Sequence, residues 1–411
     1  MKELLISVFF LEFAIELVLK GLGYNGDNSP ETRKEILKYF TEANIQAGIE
    51  YARSGFSVGL VLFIVKKLFF VWFVFSKFPK KLENYFSALS GHKNYLTIIF
   101  YFTFLDLALT LLLLPFSWYF GFYLEHQFGF SNMSFGFWIW TELKTFLVSW
   151  VFFIPTVLIA LFIIQKIRFL WVFVVPIAGV VLGLITSVLY PILILPLFYT
   201  TEPIAEGSLK NKILELSKKA NINSSEIYII KESEYSKHTN AFFVGFGDNK
   251  KIYLFDTLIQ TNTESEILSV LGHEIGHWKF NHQLIGIGIE FLSSVFLFLF
   301  LYFILSRFRN SGEIDEYHSL STVPLMIFVY GILSFFLNPI DSTISRKMEA
   351  DADYEALVLT NDKKSFISSE IKLAKENKDR LNPNGIVVFW KYSHPKTMDR
   401  IKMAEKYKVK K

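Results

Sequence analysis

The sequence predicts a multi-pass α-helical membrane protein with about seven transmembrane helices. Of the 411 residues, 52% are hydrophobic and only 19% are charged. The apolar residues gather into stretches of about 18 or more, the length that a helix needs to cross a bilayer. The mean hydropathy of +0.36 agrees with this composition. These observations exclude a soluble enzyme, a disordered chain and a fibrous repeat.

The order of the apolar segments divides the chain into two parts. The predicted spans are residues 4–19, 56–75, 96–118, 146–164, 170–198, 284–305 and 323–337. Stretches of ordinary soluble composition follow the fifth span, at 199–283, and the seventh, from 341 onwards. We therefore predict an N-terminal membrane domain with five helices at 1–200, and a second domain at 201–411 that includes the last two spans.

Acidic side chains interrupt several of the predicted spans. Glu12 and Glu16 lie four residues apart in the first segment, on one helix face, and should point into the protein rather than at lipid. Asp106, Glu142 and Glu290 lie in or beside other spans. Two explanations remain open for them, namely buried hydrogen-bonded pairs and a polar, water-filled interior.

Charge and cysteine content narrow the possible functions. A net charge of +4 suits contact with anionic lipid headgroups, but it falls short of the dense basic face that nucleic-acid binding needs. The absence of cysteine excludes disulfides, thiolate metal sites and cysteine nucleophiles. Any metal ion must therefore be held by carboxylates and by some of the eight histidines.

The strongest functional motif is an H-E-x-x-H sequence at residues 273–277. Residues 263–266 predict a capping box, so a helix should begin there and continue through the motif. On that helix His273 and His277 project from one face and can bind one zinc ion. Glu274 is placed to take a proton from water rather than to bind the metal. The alternative is a pair of exposed helical histidines.

A catalytic zinc ion needs a third protein ligand besides two imidazoles. His282 lies about 140° around the helix from His277 and is expected to be structural or interfacial. The segment 346–356 is a better source, because Glu349 and Asp353 lie one turn apart on one face there. Spacing favours Glu349 as ligand and Asp353 as acceptor for the N–H of a ligating histidine, and it leaves the reverse assignment open.

The membrane topology agrees with this grouping. The H-E-x-x-H motif and Glu349 must lie on the same side of the membrane to share one metal ion. Two predicted spans, 284–305 and 323–337, separate them, and an even number of crossings returns the chain to the side that it left.

These residues resemble those of the type 1 CAAX prenyl proteases, which are integral-membrane zinc metalloproteases. The resemblance covers essentially the whole chain, including the seven-span layout. The matching blocks are residues 240–243, 251–258, 273–282, 345–353 and 393–395. The resemblance implies a zincin-like, mainly α-helical metallopeptidase domain with a small β-sheet. It also implies that the membrane helices enclose a water-filled chamber capped by the zinc site.

The resemblance further implies roles for individual residues, with one zinc ion per chain. It makes Glu349 the third ligand beside the two motif histidines, and Asp353 the partner of a zinc-binding histidine, with Arg346 close by. His394 and Arg400 would stabilise the oxyanion formed at the cleaved carbonyl. The residues of an edge strand that pairs with the substrate backbone would be Asn240, Ala241 and Phe242.

Without the resemblance, several of these residues have ordinary explanations. His394 is then a loop histidine before a rigid turn. Asn240 begins a strand that ends at Gly245, and Arg346 pairs with an acidic residue of its own helix.

The sequence thus predicts a membrane-embedded zinc endopeptidase that acts, by resemblance, near the C-terminus of prenylated C-a-a-X substrates. One alternative is a quality-control metallopeptidase for unprenylated membrane proteins, and another is a transporter or scaffold with a structural zinc ion. The expected partners are membrane lipid and a peptide or protein substrate, without nucleic acid, and the expected state is a monomer. High Phe, Lys and Asn content fits a bacterial inner membrane; a eukaryotic source would imply the endoplasmic reticulum membrane.

Overall fold

The structure is a computed structural model that describes residues 2–222, 226–246 and 249–409. Helices form nearly all of the N-terminal half. Their bounds are α1 Lys2–Asn25, α2 Pro30–Ile36, α3 Glu42–Ser54, α4 Phe56–Phe75, α5 Phe78–Leu89, α6 Asn94–Trp118, α7 Glu125–Gln127, α8 Phe135–Lys166, α9 Trp171–Leu189 and α10 Leu195–Phe198. Two π-helical turns, Tyr119–Leu124 and Tyr190–Ile194, join α6 to α7 and α9 to α10.

Six helical stretches of the described chain are long and apolar enough to cross a membrane. They are Glu42–Phe75, Asn94–Gln127, Phe135–Lys166, Trp171–Phe198, His282–Asn310 and Val323–Thr360. The remaining predicted span, at 4–19, lies in the 24-residue helix α1. That helix has sufficient length, but Glu12, Glu16 and Lys20 keep it outside this set. The predicted multi-pass helical membrane fold is confirmed.

Hydrogen bonds account for some of the acidic side chains in the spans. Three of them bond to side chains of other helices, in the pairs Glu12–Lys67, Glu16–Lys391 and Glu142–Ser117. Within the described residues, Asp106 and Glu290 have no such partner. The structure therefore contains hydrogen-bonded acidic pairs, the first of the two arrangements that the sequence left open.

Helix α14 (His282–Asn310) favours a polar interior. Its large exposed apolar side chains form one stripe, made of Leu284, Leu292, Phe296, Phe300 and Phe303. Glu290 is also exposed and lies about 160° around the helix from Leu292. A carboxylate on the face opposite the lipid-facing stripe requires water or polar neighbours. This position fits the water-filled interior that the resemblance implies.

The C-terminal half combines helices with one small sheet. Its elements are β1 Thr201–Pro203, α11 Ser208–Lys219, β2 Glu226–Ile230, β3 Ala241–Phe246, β4 Asn249–Phe255, α12 Asp256–Thr261, α13 Glu264–Lys279, α14, α15 Val323–Thr360, α16 Lys363–Glu376, α17 Gly385–Lys391 and α18 Thr397–Lys406. The strand order is β1-β2-β4-β3, with β2 and β4 parallel and the outer strands antiparallel to their neighbours. In the described residues β3 pairs with β4 alone and is therefore an open edge.

Apolar side chains of α13 pack on one face of this sheet. Residues of both elements are almost completely buried in this core, namely Ile252, Leu254, Ile267, Leu271 and Ile275. The opposite side of α13 is free to face α15. The sheet thus fixes the helix that carries the H-E-x-x-H motif.

Helix α15 is continuous over 38 residues and joins the last span to the segment 346–356. The sequence predicted a span ending at 337 and a separate soluble stretch from 341. The helix instead continues through Pro339, so Glu349 and Asp353 lie on the extension of a membrane helix. With α14 as the other crossing, the chain makes the even number of crossings that the shared metal site requires.

Candidate metal centre

The predicted capping box starts helix α13. Thr263 Oγ1 accepts the backbone N–H of Glu266 at 3.4 Å, and Glu266 Oε2 accepts the backbone N–H of Thr263 at 2.7 Å. The helix continues to Lys279, so His273 and His277 share one face as predicted.

Two glycines allow α13 to lie directly against α15. A Cβ atom at Gly276 would lie only 2.7 Å from Ala352 Cα, and one at Gly272 would lie 3.1 Å from Ala356 Cα. Any side chain at Gly276 would therefore push the helices apart. This close crossing brings the motif histidines up to Glu349.

The donor atoms of His273, His277 and Glu349 converge on one point. The two Nε2 atoms are 3.0 Å apart, and the Glu349 carboxylate oxygens lie 3.2 Å from His273 Nε2 and 3.5 Å from His277 Nε2. A tetrahedral ion with bonds of about 2.0–2.1 Å places its ligand atoms roughly 3.3–3.4 Å apart. Glu349 Oε2 is buried without a well-aligned hydrogen bond. These residues therefore fit a zinc ion.

The outer nitrogen of each histidine is also bonded. His273 Nδ1 lies 2.7 Å from Asp353 Oδ1, and His277 Nδ1 lies 3.0 Å from His282 Nδ1. These contacts turn both Nε2 atoms towards the shared centre, as partners of metal-binding histidines commonly do. Asp353 thus occupies the position predicted for it.

His282 reaches His277 because the helix breaks between them. Asn281 has φ 55°, in the left-handed region, and α14 starts at the next residue. An unbroken helix would hold the two side chains about 140° apart, so the sequence predicts a structural or interfacial His282 but not this contact. An asparagine after Phe280 was the available signal, since asparagine tolerates left-handed backbone better than most residues.

Arg400 lies behind Asp353. Its Nε atom donates to Asp353 Oδ2 at 2.7 Å, and its Nη1 atom lies 2.5 Å from Glu370 Oε2. These carboxylates raise the pKa of Arg400 despite its burial. The resemblance placed Arg400 at the oxyanion, whereas in the structure it holds the carboxylate that orients His273. Glu370, on α16, has no sequence signal that identifies it.

Glu274 and His394 lie beside the three donors. The Glu274 carboxylate bonds to no other side chain of the described residues, and burial raises its pKa. His394 Nε2 lies 3.4 Å from Glu349 Oε2, and more than half of the His394 side chain is exposed. Both groups are available to a substrate at the metal centre.

Arg346 supports the segment that leads to His394. Its Nη1 atom donates to the backbone carbonyls of Val388, at 2.8 Å, and Tyr392, at 2.7 Å. These contacts tie α15 to α17 and the loop that follows. Among the described residues, Arg346, which the resemblance placed near the zinc-binding residues, therefore bonds neither to one of them nor to an acidic neighbour in its own helix.

The electric field at the centre favours cations. Burial lowers the pKa of His273, but its hydrogen bonds to the carboxylates of Asp353 and Glu349 outweigh burial and raise it to about 10. The same negative charge stabilises a divalent ion between these side chains. No fourth donor joins the three in the part of the chain that the structure describes, so one position is left for water or substrate.

The start of β3 presents backbone groups that do not pair with β4. Asn240 accepts the N–H of Phe255 at 3.0 Å, and Ala241 lies opposite Leu254. Hydrogen-bonded and non-bonded pairs alternate in an antiparallel ladder, so the peptide groups of Ala241 and Phe243 point to the open edge. The Asn240 side chain already accepts the N–H of Ala241 at 2.9 Å. Phe242 stacks on Tyr253, on the face away from α13.

Comparison with protein families matches both halves of the chain. Residues 203–408 match the model of peptidase family M48, and residues 26–200 match that of the CAAX prenyl protease N-terminal domain with five membrane helices.

Comparison with individual proteins gives the same family. The chain is 30% identical to an uncharacterized metalloprotease of Bacillus subtilis, covering 82% of this chain and 80% of that protein. It is also 30% identical to a protein of Schizosaccharomyces pombe named "Probable CAAX prenyl protease 1", covering 92% and 82%. The crystal structure of S. mikatae Ste24p has the same fold, with a TM-score of 0.85 at 24% identity over 97% of this chain and 98% of that one. The chain therefore belongs to peptidase family M48 and is a membrane zinc metalloprotease.

Proposed function

We propose that this metalloprotease cleaves peptide bonds near the C-terminus of prenylated C-a-a-X proteins. The convergence of His273, His277 and Glu349 beside an unbonded Glu274 carries the assignment of the catalytic centre. The substrate class is supported by the match of residues 26–200 to the CAAX prenyl protease N-terminal domain and by the name of the yeast relative.

The residues at the centre have distinct roles in this proposal. His273, His277 and Glu349 would hold one zinc ion per chain, which would supply a Lewis acid for the scissile carbonyl and a lowered pKa, towards about 7, for the attacking water. Glu274 accepts a proton from the attacking water and passes it to the leaving amine. His394 faces the same space and donates a hydrogen bond to the oxyanion that develops on the carbonyl.

Arg400 acts in this proposal through its neighbour. By holding Asp353 from behind, it keeps the carboxylate pointed at His273 and so fixes the direction of the His273 ring. It is a positioning residue rather than a donor to the substrate.

The peptide binds as an added strand on β3. Ala241 and Phe243 present peptide groups to the open edge, and an extended peptide can pair with them by main-chain hydrogen bonds. Asn240 lies at the start of that edge and Phe242 lies beside it, so both residues border the added strand. Such binding accepts many sequences, because it uses the backbone of the substrate.

The lipid group would lie among the membrane helices. A mainly apolar cavity of about 390 Å³ lies between α1, α4, α6 and α15, and its walls include Phe9, Phe70, Leu113, Phe328 and Ile332. A prenyl chain placed there would be transferred from water to mainly apolar walls, with Lys66 and Lys67 on one side.

Cleavage of one C-a-a-X peptide with and without a farnesyl group tests the substrate class. The protein is purified in detergent, loaded with zinc and assayed with and without a chelator. We expect a higher kcat/KM for the farnesylated peptide. Equal cleavage of both would overturn the C-a-a-X assignment and favour the quality-control peptidase.

Two variants test the catalytic centre. Glu274→Gln should keep its zinc and lose roughly 10²–10⁴-fold in kcat, the usual contribution of a general acid–base group. His273→Ala should lose both zinc and activity. A Glu274→Gln protein with wild-type kcat would contradict the proposed base.

Peptides N-methylated at successive positions test the added strand. Because only alternate residues of a strand face its neighbour, methylation should raise KM with a period of two along the peptide. A uniform response, or none, would contradict strand addition on β3.

A further inference from the structure

The segment that enters β3 is attached to the membrane domain. Lys237 donates its backbone N–H to the carbonyl of Phe130, at 2.8 Å, in the turn that follows α7. The Ser131 hydroxyl donates to the carbonyl of Tyr235 at 3.1 Å. The two segments thus run side by side for a few residues, directly before the strand edge that starts at Asn240.

His238 forms the side-chain link at this junction. Its Nε2 atom lies 2.9 Å from Glu125 Oε2 on α7, and the Tyr51 hydroxyl of α3 donates to Glu125 Oε1 at 2.9 Å. His238 Nδ1 faces Asn377 Oδ1 at 3.4 Å. A carboxylate accepts at one ring nitrogen and an amide oxygen faces the other, and this arrangement favours a protonated imidazole beside an ionised carboxylate.

The packing around the pair is well defined. The His238 ring stacks on Phe130 with centroids 4.8 Å apart, and the Lys378 ammonium lies 4.1 Å from the Phe130 centroid. The carbonyl of His238 accepts the Thr257 hydroxyl at 2.7 Å. The Glu125 side chain is 16% exposed and that of His238 is 40% exposed, so solvent screens the pair only in part.

Two carboxylates act on His238 and favour its protonated form, namely Glu125 of α7 and Glu232 of the turn at Glu232–Glu234. The neighbouring Tyr51 hydroxyl of α3 and the Lys378 ammonium after α16 act on Glu125, and Lys237 acts on Lys378. The hydrogen bond to Glu125 raises the pKa of His238 above its ordinary value, against the opposing effect of burial.

We propose that the His238–Glu125 ion pair positions the substrate edge of β3 by tying its first residues to the membrane domain. The proposal rests on the proposed function, because it takes β3 as the edge that receives the peptide. His238 lies two residues before Asn240, so movement at His238 shifts the peptide groups that the substrate must meet. The metal-binding residues are on α13 and α15, which the pair does not touch.

The pair should make substrate binding depend on pH. It is intact while His238 is protonated, and it is lost as the pH rises through a pKa that lies above the ordinary value of about 6.5. We therefore expect KM to rise on the alkaline side while kcat changes little, since the chemistry depends on other residues.

The test compares KM and kcat for one farnesylated peptide from pH 6 to pH 9 in three variants. His238→Gln and Glu125→Gln should each raise KM at pH 6.5 by roughly threefold to fivefold, the effect of a half-exposed ion pair. Zinc content should stay at the wild-type value. In these variants KM should no longer rise on the alkaline side. The KM of the double variant should be no higher than that of either single variant. His318→Gln, in the loop between α14 and α15, is the matched control.

Three results would overturn the positioning role. They are an unchanged KM in His238→Gln, effects of the two variants that add in the double variant, or a fall in kcat without a change in KM. The N-methylated peptides separate this failure from failure of the proposed function. If the period of two is present and His238→Gln has no effect, only the ion-pair proposal fails; if the period is absent, strand addition itself fails.

Discussion

Helices α13 and α15 meet backbone to backbone, whereas the membrane helices leave much of their surface uncovered. Ala352 and Ala356, the residues of α15 at the crossing, are completely buried, whereas only 6% of the residues are buried in the most apolar stretch of Glu42–Phe75. At the crossing, Gly272 and Gly276 remove the side chains that would separate the two helices. In the membrane domain, the ion pair Glu12–Lys67 and the stacked rings of Phe13 and Phe63 connect α1 to α4.

This difference follows from what each region must do. A metal ion needs donor atoms fixed to within a few tenths of an ångström, and dense packing provides this. A membrane domain that admits an amphiphilic substrate needs open interior space. The variants below test whether the two regions respond as differently as their packing suggests.

The largest expected effect is in the membrane domain. Lys67→Met leaves the Glu12 carboxylate, which is 1% exposed, without its partner, and this should cost up to roughly 3–5 kcal/mol of stability. Thermal unfolding in detergent measures it. Adding Glu12→Gln should recover most of the loss, whereas Lys212→Met, which removes an exposed pair with Glu264, should change little. Equal losses from Lys67→Met and Lys212→Met would contradict the role of the buried pair.

The second-largest expected effect is a loss of zinc affinity where α13 crosses α15. Asp353→Asn weakens the contacts to both His273 and Arg400, and it should reduce zinc affinity by roughly 10–100-fold. Chelator competition measures the affinity. Asp351→Asn, an exposed change two residues away on the same helix, is the control. Similar affinities for the two variants would show that Asp353 does not orient the ligand.

A single methyl group tests the packing contrast directly. Gly276→Ala places a Cβ atom 2.7 Å from Ala352 Cα and should cost about 1–3 kcal/mol through overpacking, with partial loss of zinc. Gly288→Ala, in the membrane helix α14, meets nothing within 4 Å and should be neutral or slightly stabilising. Unfolding temperatures and zinc content of the two proteins decide the comparison. Tolerance of both changes would mean that the close crossing is not required.

The smallest effect concerns the start of α13 and depends on pH. Burial raises the pKa of Glu266, but bonds from Lys372, Ser368 and Thr263 outweigh it and lower the pKa from 4.5 to about 2. The ionised group therefore stabilises the fold above pH 4.5, and this contribution disappears as the pH falls towards 2. Glu266→Gln should cost about 1–2 kcal/mol at pH 7, in the range of a lost helix cap, and less at pH 3. A pH-independent difference would contradict this assignment.

Most of the site was predictable because its signals are local. The spacing of His273 and His277 places them on one helix face, and the capping box fixes where that helix starts. The one-turn spacing of Glu349 and Asp353 identified both residues, although only the crossing geometry places Glu349 at the donor cluster and Asp353 behind His273. The contact of His282 with His277 was not predicted, because the backbone departs from a regular helix at Asn281.

The contacts of the two arginines were not predictable, because each joins elements that are distant along the chain. Arg400 on α18 meets Asp353 on α15 and Glu370 on α16. Arg346 bonds to backbone carbonyls near α17 that have no sequence signature. The His238–Glu125 contact spans more than a hundred residues in the same way.

By itself, the sequence determined the membrane character, the helix that carries the metal-binding histidines, and the return of Glu349 to their side of the bilayer. These properties follow from hydrophobicity and helical periodicity, which act over a few turns of the chain. Only the tertiary structure decided which carboxylate faces the metal, which groups hold each histidine ring, and how β3 is tied to the membrane helices. These contacts depend on the distances between packed elements, and no local pattern encodes those distances.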